Sequence, residues 1–436
     1  MATRDGSAIT TATDLGARVR AARKDLGLSQ SQLAGEELTK GFISQLEAGT
    51  VRPSVRSLQL IASRLNRPLE YFLGDESLDT GKRVAFHRLA AEAAAEQRDW
   101  DAVREHTREG LAAVTDRLER ARLLYFLARA EDAAAAHEHA FDLIGQAVAL
   151  VDVASDPQLV ASLLFLRGSI YGELGQLVAA SESLEASRDT IERYEVLDPR
   201  LRSRVMVSLG TTYRRLRRSS RALTAYESGL ATASRASELS LAARGYMGIA
   251  ATHYDAGDLD AAIASYRRAL ELFHRVSDID FELNALQSIA TVQFENGEVD
   301  SARASAQRAM QRALEVGNAR WAAVIEVILA RIALAEARPA EALRMARHAT
   351  GILAETSDAV NRADALGASG AAHEALGDAG AADEAYRASI ALYTEVGDLA
   401  DRSGMAAEYA RVLRARGQID SAFEMLELAR GGVSPA

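Results

Sequence analysis

The sequence predicts an all-α protein made of two unlike parts: a small N-terminal bundle of short helices and a long array of repeated helix pairs. Three observations carry this. Alanine, leucine, glutamate and arginine dominate a chain of 436 residues that holds only six prolines and 6% aromatic residues, and such side chains lose little rotamer freedom in a helix. Over the first 73 positions apolar residues recur three and four apart, broken at short intervals by capping residues. Beyond them, small residues return every 40 positions.

The same composition narrows the function classes. A 48% apolar content supplies a large buried core. With no cysteine there is no disulfide, thiolate metal site or cysteine nucleophile, and the cytoplasm is the expected location. The opening residues MATRDGSAITTA lack the apolar core of a secretion signal, and the most hydrophobic stretch, 321–335, is interrupted by Glu326 and Arg331; no membrane contact is expected. The net charge of −10 divides unevenly, +3 over residues 1–73 and −13 over the remainder. This pattern suits a small basic module that approaches phosphate and a large acidic body that avoids it.

Within the basic module, Leu15, Val19, Ala22 and Leu26 form one stripe on a first helix that Gly27 ends, with Arg18, Arg20, Arg23 and Lys24 on its other faces. Ser29-Gln30-Ser31-Gln32 reads as a capping box before Leu33 and Ala34 turn inward on a second helix. Thr39 caps a third helix, Lys40-Gly41-Phe42-Ile43-Ser44-Gln45-Leu46-Glu47, with Ile43 and Leu46 facing the core. Ser54 caps a fourth with Leu58, Ile61, Ala62 and Leu65 inside, and Pro68 opens a fifth over residues 69–73.

This string closely resembles the helix-turn-helix domain of the phage repressor and Cro type, the XRE family. Between Ala34 and Ile43 the chain is one residue shorter than the family pattern and lacks its usual turn glycine. The resemblance implies a five-helix lambda-repressor-like domain whose third helix enters the major groove of double-stranded DNA. Carried over by position, it places Lys40, Gly41, Ser44 and Gln45 towards base edges, and Gln30, Thr39 and Arg52 towards phosphates. Lysine suits guanine O6/N7 and glutamine suits adenine N6/N7. Phe42 either touches a thymine methyl or packs on the second helix, and packing is the expectation. The resulting division is an N-terminal arm over 1–13, the DNA-binding domain over 14–73, a polar linker over 74–82 and the array over 83–431.

In the array, Ala222, Ala262, Ala302, Ala342, Ala382 and Ala422 keep a 40-residue period, as do the columns beginning at Gly210 and Gly229. Looser copies reach back through Ala180, Ala140 and Ala102, for about nine helix pairs. Each unit carries two helical patterns around a turn such as Gly257-Asp258, with Tyr226, Tyr266 and Tyr386 in one core column. The pattern resembles the tetratricopeptide repeat, with a period about six residues longer than usual. The resemblance implies a right-handed superhelix whose first helices line a concave groove. Aligned to the repeat, groove positions include Tyr125, Arg129, Phe165, Ser169, Arg204, Thr211, Arg214, Arg244, Met247, Asn284, Gln287, Thr291 and Arg331. Arginines and amides in that set suit a short peptide bearing an acidic group or free C-terminus.

No catalytic constellation is present: no phosphate-cradling glycine loop, no HExxH and no GxSxG. His137 and His139, two apart on a helix, diverge and make a poor metal pair. No enzyme activity, cofactor or metal is expected. A repressor-type reader joined to such an array resembles the RRNPP regulators, in which the repeat domain dimerises and binds a short signalling peptide. That likeness implies a homodimeric, DNA-binding transcriptional regulator sensing a peptide. Two rival readings remain: a protein-interaction scaffold held at DNA, and a sensor of a small metabolite.

Overall fold

The computed structural model describes residues 12–35, 37–51, 53–67, 71–72 and 80–431. The chain falls into two compact units, residues 1–196 and 197–436. Among the described residues every regular element is a helix.

The first unit opens with α1 (Ala12–Asp25), α2 (Gln30–Ala34), α3 (Lys40–Glu47) and α4 (Val55–Arg64). Tyr71 and Phe72 are helical; the rest of the expected fifth helix, like the expected arm up to residue 11, lies outside the described residues. Val19, Ala22, Leu33, Ile43, Leu46, Ile61, Leu65 and Phe72 close into one core. Leu26 does not join it and is 50% exposed, because α1 ends at Asp25 and the chain leaves the helical register there; Leu28 packs on the core instead. Gly16 lets α1 cross α3 closely, since a Cβ there would stand 2.3 Å from the Leu46 carbonyl oxygen. Ser29 and Gln32 form the reciprocal capping box.

The turn between α2 and α3 differs from the expectation. No glycine occupies the family's usual position, yet Gly35 ends α2 at φ 55°, ψ −148°, a backbone region that only glycine enters readily. Arg64 of α4 completes the turn. Its guanidinium donates to the Leu33 carbonyl at 3.0 Å and to that of Ala34, and it pairs with Glu37. One arginine thus satisfies the C-terminal carbonyls of α2 that a longer turn would otherwise cover.

Three hairpins follow in this unit: α5 (Thr80–Glu96) with α6 (Trp100–Ala113), α7 (Arg117–Ala133) with α8 (His137–Leu150), and α9 (Pro157–Glu173) with α10 (Leu177–Arg193). Helix α5 already includes Thr80, Gly81 and Lys82, expected in the linker. Gly81, Lys82 and Arg83 are exposed in its first turn, ahead of buried Val84.

The second unit holds six more hairpins: α11 (Pro199–Arg215) with α12 (Ser219–Arg235), α13 (Leu239–Asp255) with α14 (Leu259–Val276), α15 (Ile279–Glu295) with α16 (Val299–Glu315), α17 (Ala319–Ala335) with α18 (Pro339–Ala354), α19 (Ala359–Ala375) with α20 (Ala379–Glu395), and α21 (Leu399–Ala415) with α22 (Ile419–Gly431). The 40-residue columns are where helices approach most closely: Ala222, Ala262, Ala302, Ala342 and Ala382 are fully buried. Tyr226 shows why its neighbours are small. A Cβ on Gly210 would meet its ring at 2.6 Å, and one on Gly248 at 2.1 Å. Turns recur with the same chemistry: Gly257 sits at φ 79°, and Asp258 accepts the Ala261 amide at 3.1 Å to cap α14.

Candidate nucleic-acid interface and ligand groove

Helix α3 buries Ile43 and Leu46 and exposes Lys40, Gly41, Ser44 and Gln45 along its other side. The Thr39 hydroxyl accepts the Phe42 amide at 3.1 Å, which leaves its proton for an outside acceptor at the dipole-positive end of α3. Phe42 is half-buried against the domain core. Gly41 faces open space, for a Cβ there would meet nothing nearer than the Thr39 oxygen at 3.9 Å. Arg52 lies outside the described residues.

Behind this face stands a buried charge network that the sequence reading did not single out. Arg23 of α1 grips Glu47 of α3 with two nitrogens and donates to the Leu28 carbonyl at 2.7 Å. Gln30 of α2 donates its side-chain amide to Glu47 at 2.9 Å. Burial alone would push the Glu47 carboxyl up, but hydrogen bonds from Arg23 and Gln30 and the nearby arginine charge outweigh it and hold the group below the ordinary carboxylate range. Arg23, expected on an outer face, is therefore structural. Gln30 keeps its second amide proton while the first is held by Glu47, so the side chain is preset for an acceptor beyond the domain.

The groove residues behave less uniformly. Arg129 packs its guanidinium 5.8 Å from the ring centroids of Trp100 and Tyr125. Arg204 is exposed on α11. Arg214 donates to Asp255 at 2.8 Å, and Thr211 accepts the Tyr226 hydroxyl at 3.0 Å. Arg244 lies 4.5 Å over the Phe281 ring, Met247 is half-buried against the core, and Asn284 accepts from Ser288. Arg214 and Arg244 are thus held by partners within the protein.

Three others, Gln287, Thr291 and Arg331, do come together. They line a cavity of about 710 Å³ in the second unit, between α13, α15, α17, α19, α20 and α21. Val324, Val327, Ile328 and Leu334 supply an apolar wall, and Glu295, Asp364, Asp401 and Glu408 supply carboxylates. Arg331 is the sole lysine or arginine in the lining; it stands 3.9 Å from Glu295 and over Phe294. Tyr254 donates to Glu295 at 2.6 Å and Tyr393 to Asp364 at 2.7 Å. Shielding from water and the neighbouring charges of Asp398 and Asp364 raise the Asp401 carboxyl to about 6; burial pushes Asp364 up as well. The cavity is acidic where the sequence reading anticipated a basic groove. The column Arg204, Arg244, Asn284 continues with Val324, Asp364 and Gly404, so its charge changes sign along the array.

His137 and His139 do diverge, towards Asp132 and Glu131 respectively. Asp132, His137 and Glu173 hold their ligand atoms within 4.8 Å of one another, the one set of this kind among the described residues, and it could hold a small divalent cation.

Comparison with known proteins follows the same division. Residues 19–72 match the family described as helix-turn-helix. This segment is a helix-turn-helix domain of the XRE type. Residues 241–315 match the tetratricopeptide repeat. No curated protein matches the chain. Among solved structures, a Rap protein complexed with competence and sporulation factor is similar at 15% identity and TM-score 0.54, over 89% of this chain and 99% of that one. A Rap conjugation gene regulator of plasmid pLS20, solved with the Phr* peptide, gives 14% and 0.53, over 81% and 94%. A signal transduction ATPase with a tetratricopeptide repeat sensor, from Pyrococcus horikoshii, gives 14% and 0.57, over 80% and 55%. At these identities the likeness is one of fold. No helix among the described residues is long and apolar enough to cross a membrane.

Proposed function

We propose that this protein is a cytoplasmic transcriptional regulator that reads DNA with α3 and senses a short peptide in the groove of its repeats. The observation that carries DNA reading is the two-faced α3: Ile43 and Leu46 anchor it while Lys40, Ser44 and Gln45 stand exposed on a capped helix. In this reading Lys40 and Gln45 meet base edges, Gly41 lets the backbone approach closely, and Gln30, Thr39 and Arg52 hold phosphates. The DNA-binding domain spans about residues 14–73, and the array begins where α5 does. Alanine at Lys40 or Gln45 should cost about 1–3 kcal/mol on the preferred site and relax preference at one base pair each, measured by competition binding on randomised duplexes. Unchanged affinity and preference in both variants would remove α3 from the groove.

Peptide sensing is supported by the cavity on the first helices of the repeats, and by a similar fold having been solved with the Phr* peptide. Dimerisation belongs to the same proposal, because one short recognition helix covers too little DNA for tight specific binding and two half-sites one helical turn apart answer this. A monomer at micromolar concentration, bound to an unpaired half-site, would count against it.

A further inference from the structure

We propose that the cavity centred on Asp364, Asp401 and Gly404 selects a cation: an ammonium or guanidinium group attached to an apolar body. The inference rests on the groove being the sensory site and adds the charge of what enters it. Three features of the cavity point the same way. Its lining holds four carboxylates, Glu295, Asp364, Asp401 and Glu408, against one arginine. That arginine already faces Glu295 and covers Phe294, and among the described residues no lysine or arginine forms an ion pair with Asp364, Asp401 or Glu408. Tyr393 and Tyr386 donate hydroxyls to Asp364 and Glu408, which orients these carboxylates without neutralising them.

Shape adds to charge. Gly404 borders the cavity, and a Cβ there would meet nothing within 4 Å, so the helix leaves space beside the acids. Val324, Val327, Ile328 and Leu334 offer a dry wall from α17 for an aliphatic or aromatic group. Gln287 and Thr291, joined by a 3.0 Å hydrogen bond, can meet peptide amides or a hydroxyl. The volume is that of an ordinary ligand pocket. Burial first, and then repulsion from Asp398 and Asp364, raises the Asp401 carboxyl to about 6; Arg331 offsets part of the negative charge at Asp364, and a bound cation relieves the remaining repulsion, whereas an anion adds to it. A free N-terminal amine, a lysine or an arginine of a peptide meets the requirement, and so does a free polyamine.

The test uses the full chain and defined probes: three pools of synthetic hexapeptides matched in apolar content, one with lysine or arginine, one neutral with acetylated N-termini, and one with aspartate or glutamate. Spermidine and arginine amide are added as small cations, and retention is read by affinity selection and mass spectrometry. The basic pool should be retained at least tenfold over the acidic pool. The pair Asp364→Asn and Asp401→Asn should erase that preference while keeping an oxygen to accept the Tyr393 hydroxyl. Gly404→Leu should block retention of every pool by filling the space, with helix content and DNA affinity unchanged. Retention regardless of charge, or preference for the acidic pool, overturns the cation inference and leaves peptide sensing standing. Asp-dependent binding of spermidine or arginine amide, with no peptide retained, upholds cation selection and removes the peptide. Retention of nothing defeats both.

Discussion

Glu47→Ala isolates what the buried pair between α1 and α3 contributes. The Glu47 side chain is 4% exposed and that of Arg23 12%, so the substitution strands a guanidinium in a site nearly closed to water. Among the described residues the Leu28 carbonyl is the one hydrogen-bond acceptor left to it. At an effective dielectric near 20 the lost attraction is roughly 5 kcal/mol over about 3 Å. Part of that only offset the desolvation of the two charges, and breaking a buried pair typically costs about 3–5 kcal/mol. Arg23 keeps an edge in water, so about 3 kcal/mol is expected. A domain of roughly 60 residues holds only about 3–9 kcal/mol in total, so the loss should unfold a measurable fraction of it. Both tryptophans, Trp100 and Trp321, lie outside the domain, and hydrogen exchange over residues 40–47 in the full chain is the suitable assay. Protection there should fall about 100-fold, with peptides from the second unit as internal control. Arg23→Met with Glu47→Leu removes both charges together and should restore most of the protection. A loss below about 1 kcal/mol for Glu47→Ala, or a double variant as weak as the two single changes added, would refute the account of a buried, coupled pair.

Arg64→Ala should uncap α2 and cost about 1–3 kcal/mol, lowering affinity for all DNA sequences alike in salt-controlled titrations; lysine at this position should recover only part, lacking the planar fork. Gly248→Ala should push a Cβ into the Tyr226 ring and destabilise the repeats by about 1–3 kcal/mol, read as a lowered melting temperature with DNA affinity retained. The raised Asp401 pKa means that between about pH 4 and 6 the folded chain holds a proton the unfolded chain has released. Stability of the ligand-free protein should therefore fall as pH rises through that window, and Asp401→Asn should flatten the slope in a series of melting curves. The reverse sign applies at Glu47, whose lowered pKa gives a contribution present above about pH 4.5 and lost as pH falls through the folded value. Acid titration followed by exchange over residues 40–47 checks it; protection that does not change with pH across the acid range, in the wild type as in Glu47→Ala, speaks against the pair.

Much of this was legible in the chain. Capping and periodicity are local properties, so Ser29, Thr39 and Ser54 mark helix starts and Ile43, Leu46, Leu58 and Ile61 mark a core without knowledge of the fold. The 40-residue columns revealed the repeats because each hairpin must present a small residue where its neighbour presses on it. Even the acid cavity left a trace, since the column that starts at Arg204 and Arg244 continues to Asp364 and Gly404.

What the tertiary structure alone decided were the partners of charged groups and the space between elements. Arg23 reads as one more surface arginine until α3 brings Glu47 beside it. Arg64, thirty residues from Ala34, becomes the end of the α2 turn only once α4 is packed. Arg214 and Arg244, expected as ligand grips, meet Asp255 and Phe281 from neighbouring helices. Sequence determines which residues are helical and which face is apolar, because those follow from interactions a few residues apart. Where a long charged side chain ends, and whether carboxylates on α15, α19 and α21 share one cavity, depends on how far helices lie from each other in space.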